Sequence, residues 1–478
     1  MPLRRVTSDW AIPVGLACMV VAFAAGSGSE PWFKRVGLDA RWIVLVIVCA
    51  AALLDAAYRI SRTRVLPSRG LRRFGAVTGS FLALAIISTA WSVTPRLTFE
   101  RAGSLAIVFL LGAALAASTT SDVAARARLF QGLAVGAVTV GALGLFVLIF
   151  DYNTAVLREA GAWRYRGFTE NPNTIAILAA AALPLNLGFA LRATSRRRQA
   201  AWLAGGLLLV GSIIASESRG GLLAACAGTL LVSAFGVEGL RQRVAAITSV
   251  ALVFAGGIAL REAVQPPPTP FSSQVAPAPT PPVQGPTAHK GNPKPRHIAP
   301  AVGKTSELPR EEDEIGSPAL SKQATTTLAS GRLAAWKGAL ELIGDRPILG
   351  YGFGTEQKVF VDRWYYFQGG TAENSYLGLL LQLGTVGLAF ILALGCALVA
   401  GGLRAVRLMR GDERLLVLME LGVLVGAAAI MLIQSYLYSV GNVATATVWI
   451  SLFALAPVAL EPRPAARRIR ATAPEEAS

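Results

Sequence analysis

Residues 373–400 read ENSYLGLLLQLGTVGLAFILALGCALVA, four polar residues (Glu373-Asn374-Ser375-Tyr376) running straight into an uncharged apolar stretch. That stretch exceeds the roughly 20 residues a helix needs to cross a bilayer. Working outward, runs of similar character centre near Ala17, Val48, Ala83, Leu110, Gly141, Ala181, Leu208, Ala227, Val253, Phe390, Val425 and Leu452. They predict about twelve transmembrane helices. Composition agrees: of 478 residues 53% are hydrophobic and 15% charged, with a mean hydropathy of +0.52, too apolar for an ordinary soluble globule. The expected fold class is an all-α integral membrane protein with one large loop between the ninth and tenth helices.

Orientation follows from cations near the span ends. Arg59, Arg62, Arg69, Arg126, Arg128, Arg192, Arg196, Arg197, Arg198, Arg404 and Arg410 fall in alternate connections, with Arg4, Arg5 and the tail Arg463, Arg467 and Arg468 on the same side. This predicts a cytoplasmic face holding both termini. The net charge of +17 is spread over short connections rather than gathered on one domain, so topology and anionic membrane lipid account for it and nucleic acid is not an expected partner. Cys18, Cys49, Cys226 and Cys396 sit inside apolar runs, in neither a disulfide nor a zinc spacing. Arg4 and Arg5 precede an apolar stretch without a small-residue cleavage site, which predicts a retained first helix.

The chain divides into residues 1–260 (helices one to nine), 261–327, 328–374, 375–460 (helices ten to twelve) and a cytoplasmic tail, 461–478. Residues 261–327 hold Pro266-Pro267-Pro268, Pro281-Pro282 and the acidic run Glu311-Glu312-Asp313-Glu314; this composition cannot bury a core and predicts a disordered insertion. Next, Leu333, Trp336, Leu340 and Ile343 recur at helical spacing, predicting an amphipathic helix on the membrane face. Asp345-Arg346-Pro347 should end it, and Gly350, Gly352 and Gly354 should form a tight turn. That glycine run follows no strand and lacks a Lys-Ser/Thr ending, so it fits neither a dinucleotide fingerprint nor a P-loop.

Both histidines, His289 and His297, lie in the Pro-rich insertion. A His-based metal site or His general base is therefore not expected in the ordered parts, which leaves a carboxylate. Glu373 is the leading candidate; it reads either as a first-turn acid facing the helix dipole or as a base at the membrane surface. Arg219, in Ser216-Glu217-Ser218-Arg219-Gly220-Gly221, reads either as a snorkelling or Glu217-paired arginine or as a ligand contact beside two glycines. Arg332 and Arg346 are either surface charges or phosphate-gripping forks. Asn171-Pro172-Asn173 reads as a cap and turn, which leaves Arg164 and Arg166 unexplained.

Taken together these segments resemble the O-antigen ligase and O-antigen polymerase superfamily of bacterial membrane glycosyltransferases. The resemblance rests on Gly167-Phe168 through Asn171-Pro172-Asn173, Ser218-Arg219-Gly220-Gly221, Ser330-Gly331-Arg332 with Trp336, and Arg346-Pro347 through Gly350-Tyr351-Gly352-Phe353-Gly354. Ligases of that family carry a His followed by Asn, Ser or Gln, nine residues, then Gly-x-x-Gly. This chain has Glu373-Asn374, nine residues, then Gly384-Thr385-Val386-Gly387. Glutamate replaces the histidine, which leaves open a polymerase or another glycan ligase of the superfamily. The resemblance implies a GT-C-like helical architecture in the bacterial inner membrane with a large periplasmic loop. It also implies transfer of a glycan from undecaprenyl pyrophosphate to a glycan or lipid-linked acceptor hydroxyl, without cofactor or metal. On that reading Arg219, Arg332, Arg346 and Arg166 would hold pyrophosphate, Glu373 would act as base, and Asn374 and Tyr376 would help place sugars. A lipid-linked sugar flippase and a non-catalytic scaffold of polysaccharide assembly are the alternatives.

Overall fold

The computed structural model describes residues 2–64, 67–120, 122–159, 162–264, 332–361, 371–442 and 444–461. The Pro-rich insertion, both histidines, Ser330-Gly331 and the tail beyond 461 lie outside the described residues. Twelve helices carry the twelve apolar centres. They are α1 Pro2–Gly26, α2 Pro31–Thr63, α3 Arg69–Ile87, α4 Pro95–Thr119, α5 Val123–Phe150, α7 Pro172–Arg192, α8 Arg196–Ala215, α9 Arg219–Gly236 and α10 Leu240–Val264, then α13 Ser375–Leu408, α14 Gly411–Met431 and α15 Thr445–Ala459. Ten are long and apolar enough to cross a membrane, while α15 and the apolar part of α1, Trp10–Gly26, are shorter. The chain is a multi-pass, all-α membrane protein.

The bundle is centred on α7 and α14, whose most apolar windows are 83% and 78% buried, against 6% for peripheral α10. Small residues permit this. In a membrane, helices associate through close packing and internal hydrogen bonds rather than by removing apolar surface from water. Gly422 and Gly426 on α14 face α9 backbone to backbone: a Cβ on Gly426 would stand 2.9 Å from the Ala224 carbonyl, and one on Gly228 2.6 Å from that of Gly422.

Arg126 departs from the surface role expected of it. It is buried in α5 against the fully buried Glu420 of α14, with Nε 2.6 Å from Oε1 and Nη2 bonded to Oε2. Each charge answers the other; stranding one by removing its partner costs about 3–5 kcal/mol.

Between α5 and α7 lies structure that the apolar periodicity did not foretell. A short helix, α6 (Tyr152–Ala155), leads into a hairpin of β1 (Val156–Glu159) and β2 (Ala162–Tyr165), paired antiparallel with Val156 opposite Tyr165. Four-residue strands are too short to show a period, and their β-branched and aromatic residues (Val156, Trp163, Tyr165) are the only sequence trace. The Arg158 guanidinium lies 3.7 Å from the centre of the Trp163 ring.

In the loop region two further helices are described, α11 (Arg332–Asp345) and α12 (Glu356–Val361). The helix end expected at Asp345-Arg346-Pro347 is observed, and Ile343 of the expected apolar face packs against the buried cluster. Ala335, Ala339 and Leu342 form the buried stripe, packed with Tyr351, Ala372 and Leu381, whereas Leu340 is 56% exposed. Alanine lets α11 approach its neighbours closely.

Candidate functional site

The site is organised by a break in α13. At Gly384 the backbone takes φ 61° and ψ −161°, a conformation that only glycine adopts readily, dividing the span into Ser375–Leu383 and the longer remainder. Peptide groups freed by such a break must find partners. The glycine-rich turn supplies them: Tyr351 N–H donates to Leu381 O (2.8 Å), Gly352 N–H to Gln382 O (2.9 Å), and Thr385 N–H to Pro347 O (2.8 Å). Gly350, Gly352 and Gly354 all have positive φ. The Arg346–Gly354 motif and the Gly-x-x-Gly motif are therefore two halves of one junction. The connection between α3 and α4 clamps it from outside, with Trp91 Nε1–H donating to Leu349 O (3.1 Å) and Phe353 N–H to Ser88 Oγ (3.0 Å).

The half-helix before the break is fixed at its start. Asn374 Oδ1 accepts from the Tyr376 and Leu377 amides (2.9 and 3.1 Å), and its Nδ2 donates to Leu432 O (2.9 Å). Ser375 Oγ donates to Gln434 O (2.6 Å), and Tyr376 Oη donates to Ala428 O (3.1 Å). These groups hold α13 to α14 and to the segment after it, so Asn374 and Tyr376 have clear positioning bonds.

Glu373, immediately before the Asn374 cap, has φ 49°. For a non-glycine residue the left-handed region costs on the order of 1 kcal/mol, and such strain concentrates at functional positions. Its carboxylate lies 3.9 Å from Arg332 Nη2, with each side chain about one-fifth exposed, and it accepts a 3.5 Å bond from Thr371 Oγ1. Burial pushes the Glu373 carboxyl above its usual range; the Arg332 guanidinium opposes the rise and the nearby Glu356 adds to it. One helical turn beyond Arg332, the Trp336 indole Nε1–H is buried without a hydrogen-bond partner among the described residues.

Glu356, at the start of α12, was not foreseen from the sequence. It is 3% exposed. Its Oε2 accepts from Tyr438 Oη (2.7 Å) and Gln382 Nε2 (3.4 Å), and its Oε1 from Ser435 Oγ (3.0 Å) and the Ala372 amide (2.9 Å). One carboxyl thus joins the break in α13, the segment after α14 and the residue preceding Glu373. Burial raises its pKa, although the Tyr438, Ala372 and Ser435 donors and the Arg101 charge pull the other way. The available signal was an acid directly following the last glycine of the turn, Gly354-Thr355-Glu356.

The remaining arginines occupy several places. Arg346 is exposed, 5.0 Å from the Tyr351 ring centre and 3.5 Å from Trp91 O. Arg219 opens α9 after the Ser218 cap, with its side chain exposed. The adjacent Glu217 carboxylate is bonded to Arg261. The α9 and α13 starts share one end of the bundle, because a Cβ on Gly220 would meet the Ile433 side chain and the adjacent Leu432 carbonyl holds Asn374. Arg166 Nε–H donates to Thr154 O (2.9 Å), while Arg164 bridges Ser216 O and Asn173 Oδ1; both fasten the hairpin loop. As read from the sequence, Asn171 caps α7, accepting from the Asn173 amide.

Below Tyr376 an apolar cleft of about 460 Å³ runs between α13, α14 and α15, lined by Leu394, Leu398, Leu424, Met431 and Trp449 among others. It reaches up to Tyr376, three residues after Glu373. Residues 204–392, which contain the break, Arg219, Arg332 and Glu373, match the family model described as O-antigen ligase. That match supports the O-antigen ligase/polymerase superfamily. No curated protein matches the chain. The family match supports a ligase- or polymerase-type role in surface polysaccharide assembly, with lipid-linked glycan and acceptor as the implied substrate classes.

Proposed function

We propose that this protein transfers a glycan from a polyprenyl-pyrophosphate donor to an acceptor hydroxyl at the Arg332–Glu373 pair, on the periplasmic face of the bacterial inner membrane. The observation that carries the reading is the placement of this pair: a strained, largely buried carboxylate and a guanidinium 3.9 Å apart, with Glu373 three residues before Tyr376, which lines the apolar cleft. Glu373 takes the proton of the acceptor hydroxyl as its oxygen bonds to the anomeric carbon. The bond from that carbon to the pyrophosphate oxygen breaks, and its electron pair leaves with the pyrophosphate. Arg332 offsets the charge developing on the leaving group, with Arg219 and Arg346 as further cations at the same end. The prenyl chain occupies the cleft between α13 and α15. Arg166 holds the loop, Glu356 fixes the backbone before Glu373, and Asn374 and Tyr376 set the helix start against which the sugars lie. The Trp336 N–H gives the donor or acceptor a hydrogen bond.

The test is reconstitution of the purified protein with a lipid-linked oligosaccharide. Cleavage of the donor with release of prenyl pyrophosphate is expected, as longer lipid-linked chains for a polymerase or glycan on a separate acceptor for a ligase. Movement of intact donor between leaflets without cleavage would make the protein a flippase, and an inert donor would make it a scaffold.

A further inference from the structure

At the opposite end of α7 and α14 from the Arg332–Glu373 pair, a second cavity of about 350 Å³ opens where four helix ends meet. Arg128 and Gln131 come from the first turns of α5, Arg192 from the last turn of α7, Arg198 and Trp202 from the start of α8, and Asp412 from the start of α14. Asp412 is the only acid among these lining residues. It is committed to Arg192, 2.8 Å from Nε and 2.7 Å from Nη2. Arg198 has an exposed side chain and, among the described residues, no hydrogen bond or ion pair through its guanidinium. The floor is aromatic, with Phe189 and Trp202 stacked at 4.9 Å and 29°. Three of the four helices begin here, so their positive dipole ends add to the arginine charge.

We infer that this cavity is a binding site for the phosphodiester headgroup of an anionic phospholipid. With Asp412 committed to Arg192, Arg198 brings a cationic donor that no carboxylate of the lining answers, and arginine forks match phosphate oxygens. A stacked aromatic floor at the level of the helix ends suits the glycerol and upper acyl carbons of a lipid, with tryptophan in its usual interfacial place. A soluble anion would use the arginines and leave that floor idle. The volume fits a headgroup rather than a whole lipid, whose chains would lie along the outer faces of α5 and α8. This site does not depend on the glycan-transfer reading.

The test uses the full chain in nanodiscs of phosphatidylcholine with a minor share of phosphatidylglycerol. The protein is then released into detergent and its retained lipid quantified. Phosphatidylglycerol should be retained in preference to phosphatidylcholine, and Arg198→Gln should lower that retention roughly tenfold, the worth of one charge-assisted hydrogen bond. Arg196 and Arg197 are exposed in the same turn but do not line the cavity. Arg196→Gln with Arg197→Gln should therefore leave retention unchanged while removing more charge than Arg198→Gln. Equal losses in the two variants would reduce the effect to diffuse attraction and overturn the site. Displacement of the lipid by millimolar inorganic phosphate would overturn the lipid assignment in favour of a free-anion site.

Discussion

Glu373→Gln is expected to lower glycan transfer by roughly two to four orders of magnitude, the range lost with a positioned general base. Glutamine keeps the shape and the hydrogen-bonding capacity of the side chain, and its backbone preference at φ 49° is no worse. The Asn374 cap and the Glu356 bond to the Ala372 amide remain, so the fold and donor binding should persist. The loss should appear in kcat, with KM for the donor little changed. Rates of prenyl-pyrophosphate release, measured at saturating donor, give the comparison. A variant within a few-fold of wild type would remove Glu373 from the chemistry and return it to the alternative of a first-turn acid facing the helix dipole.

The largest structural effect should come from Gly384→Ala. A Cβ there would lie 2.1 Å from Ile348 O, and φ 61° with ψ −161° is strained for any other residue by about 1–3 kcal/mol. Relief requires straightening α13, which breaks the bonds from Tyr351, Gly352 and Thr385, each worth on the order of 1 kcal/mol. Several kcal/mol of destabilisation should follow, read as a lower thermal midpoint of the purified protein, together with loss of transfer. Gly79→Ala is the control. Gly79 lies in α3, and a methyl group added there would meet nothing within 4 Å, so alanine should be neutral or slightly stabilising through its helix propensity. A Gly384→Ala protein with wild-type melting and turnover would show that the break is dispensable.

The spans were legible because bilayer crossing demands long uncharged runs, and every one of the twelve centres lies in a helix. Other features were hidden for identifiable reasons. Glu356 acts through Ser435 and Tyr438, far away in sequence, and a lone acid carries no periodic signal. Arg332 and Glu373 were each picked out, yet their pairing depends on how the chain between them folds back. The two glycine motifs were legible separately as turn and spacing. Their union required seeing that the carbonyls of a broken helix must be capped by another backbone. Glu217 is adjacent to Ser218-Arg219 in sequence, but its φ of 56° turns it to Arg261, a partner that neighbourhood alone does not suggest. Conversely, Asn171-Pro172-Asn173 was read correctly because a helix cap is a local device.

The proposed chemistry also fixes a dependence on acidity. A base must be ionised, so transfer is present above the pKa of Glu373 and falls as pH drops through it. Burial raises that pKa, Arg332 lowers it and Glu356 raises it. The most direct measurement is the pH–rate profile of donor cleavage by wild type, Arg332→Gln and Glu373→Gln. The account predicts an acid limb above the ordinary carboxylate range in wild type, displaced to higher pH in Arg332→Gln and absent from the residual rate of Glu373→Gln. An acid limb that stays at one pH in all three proteins would contradict it.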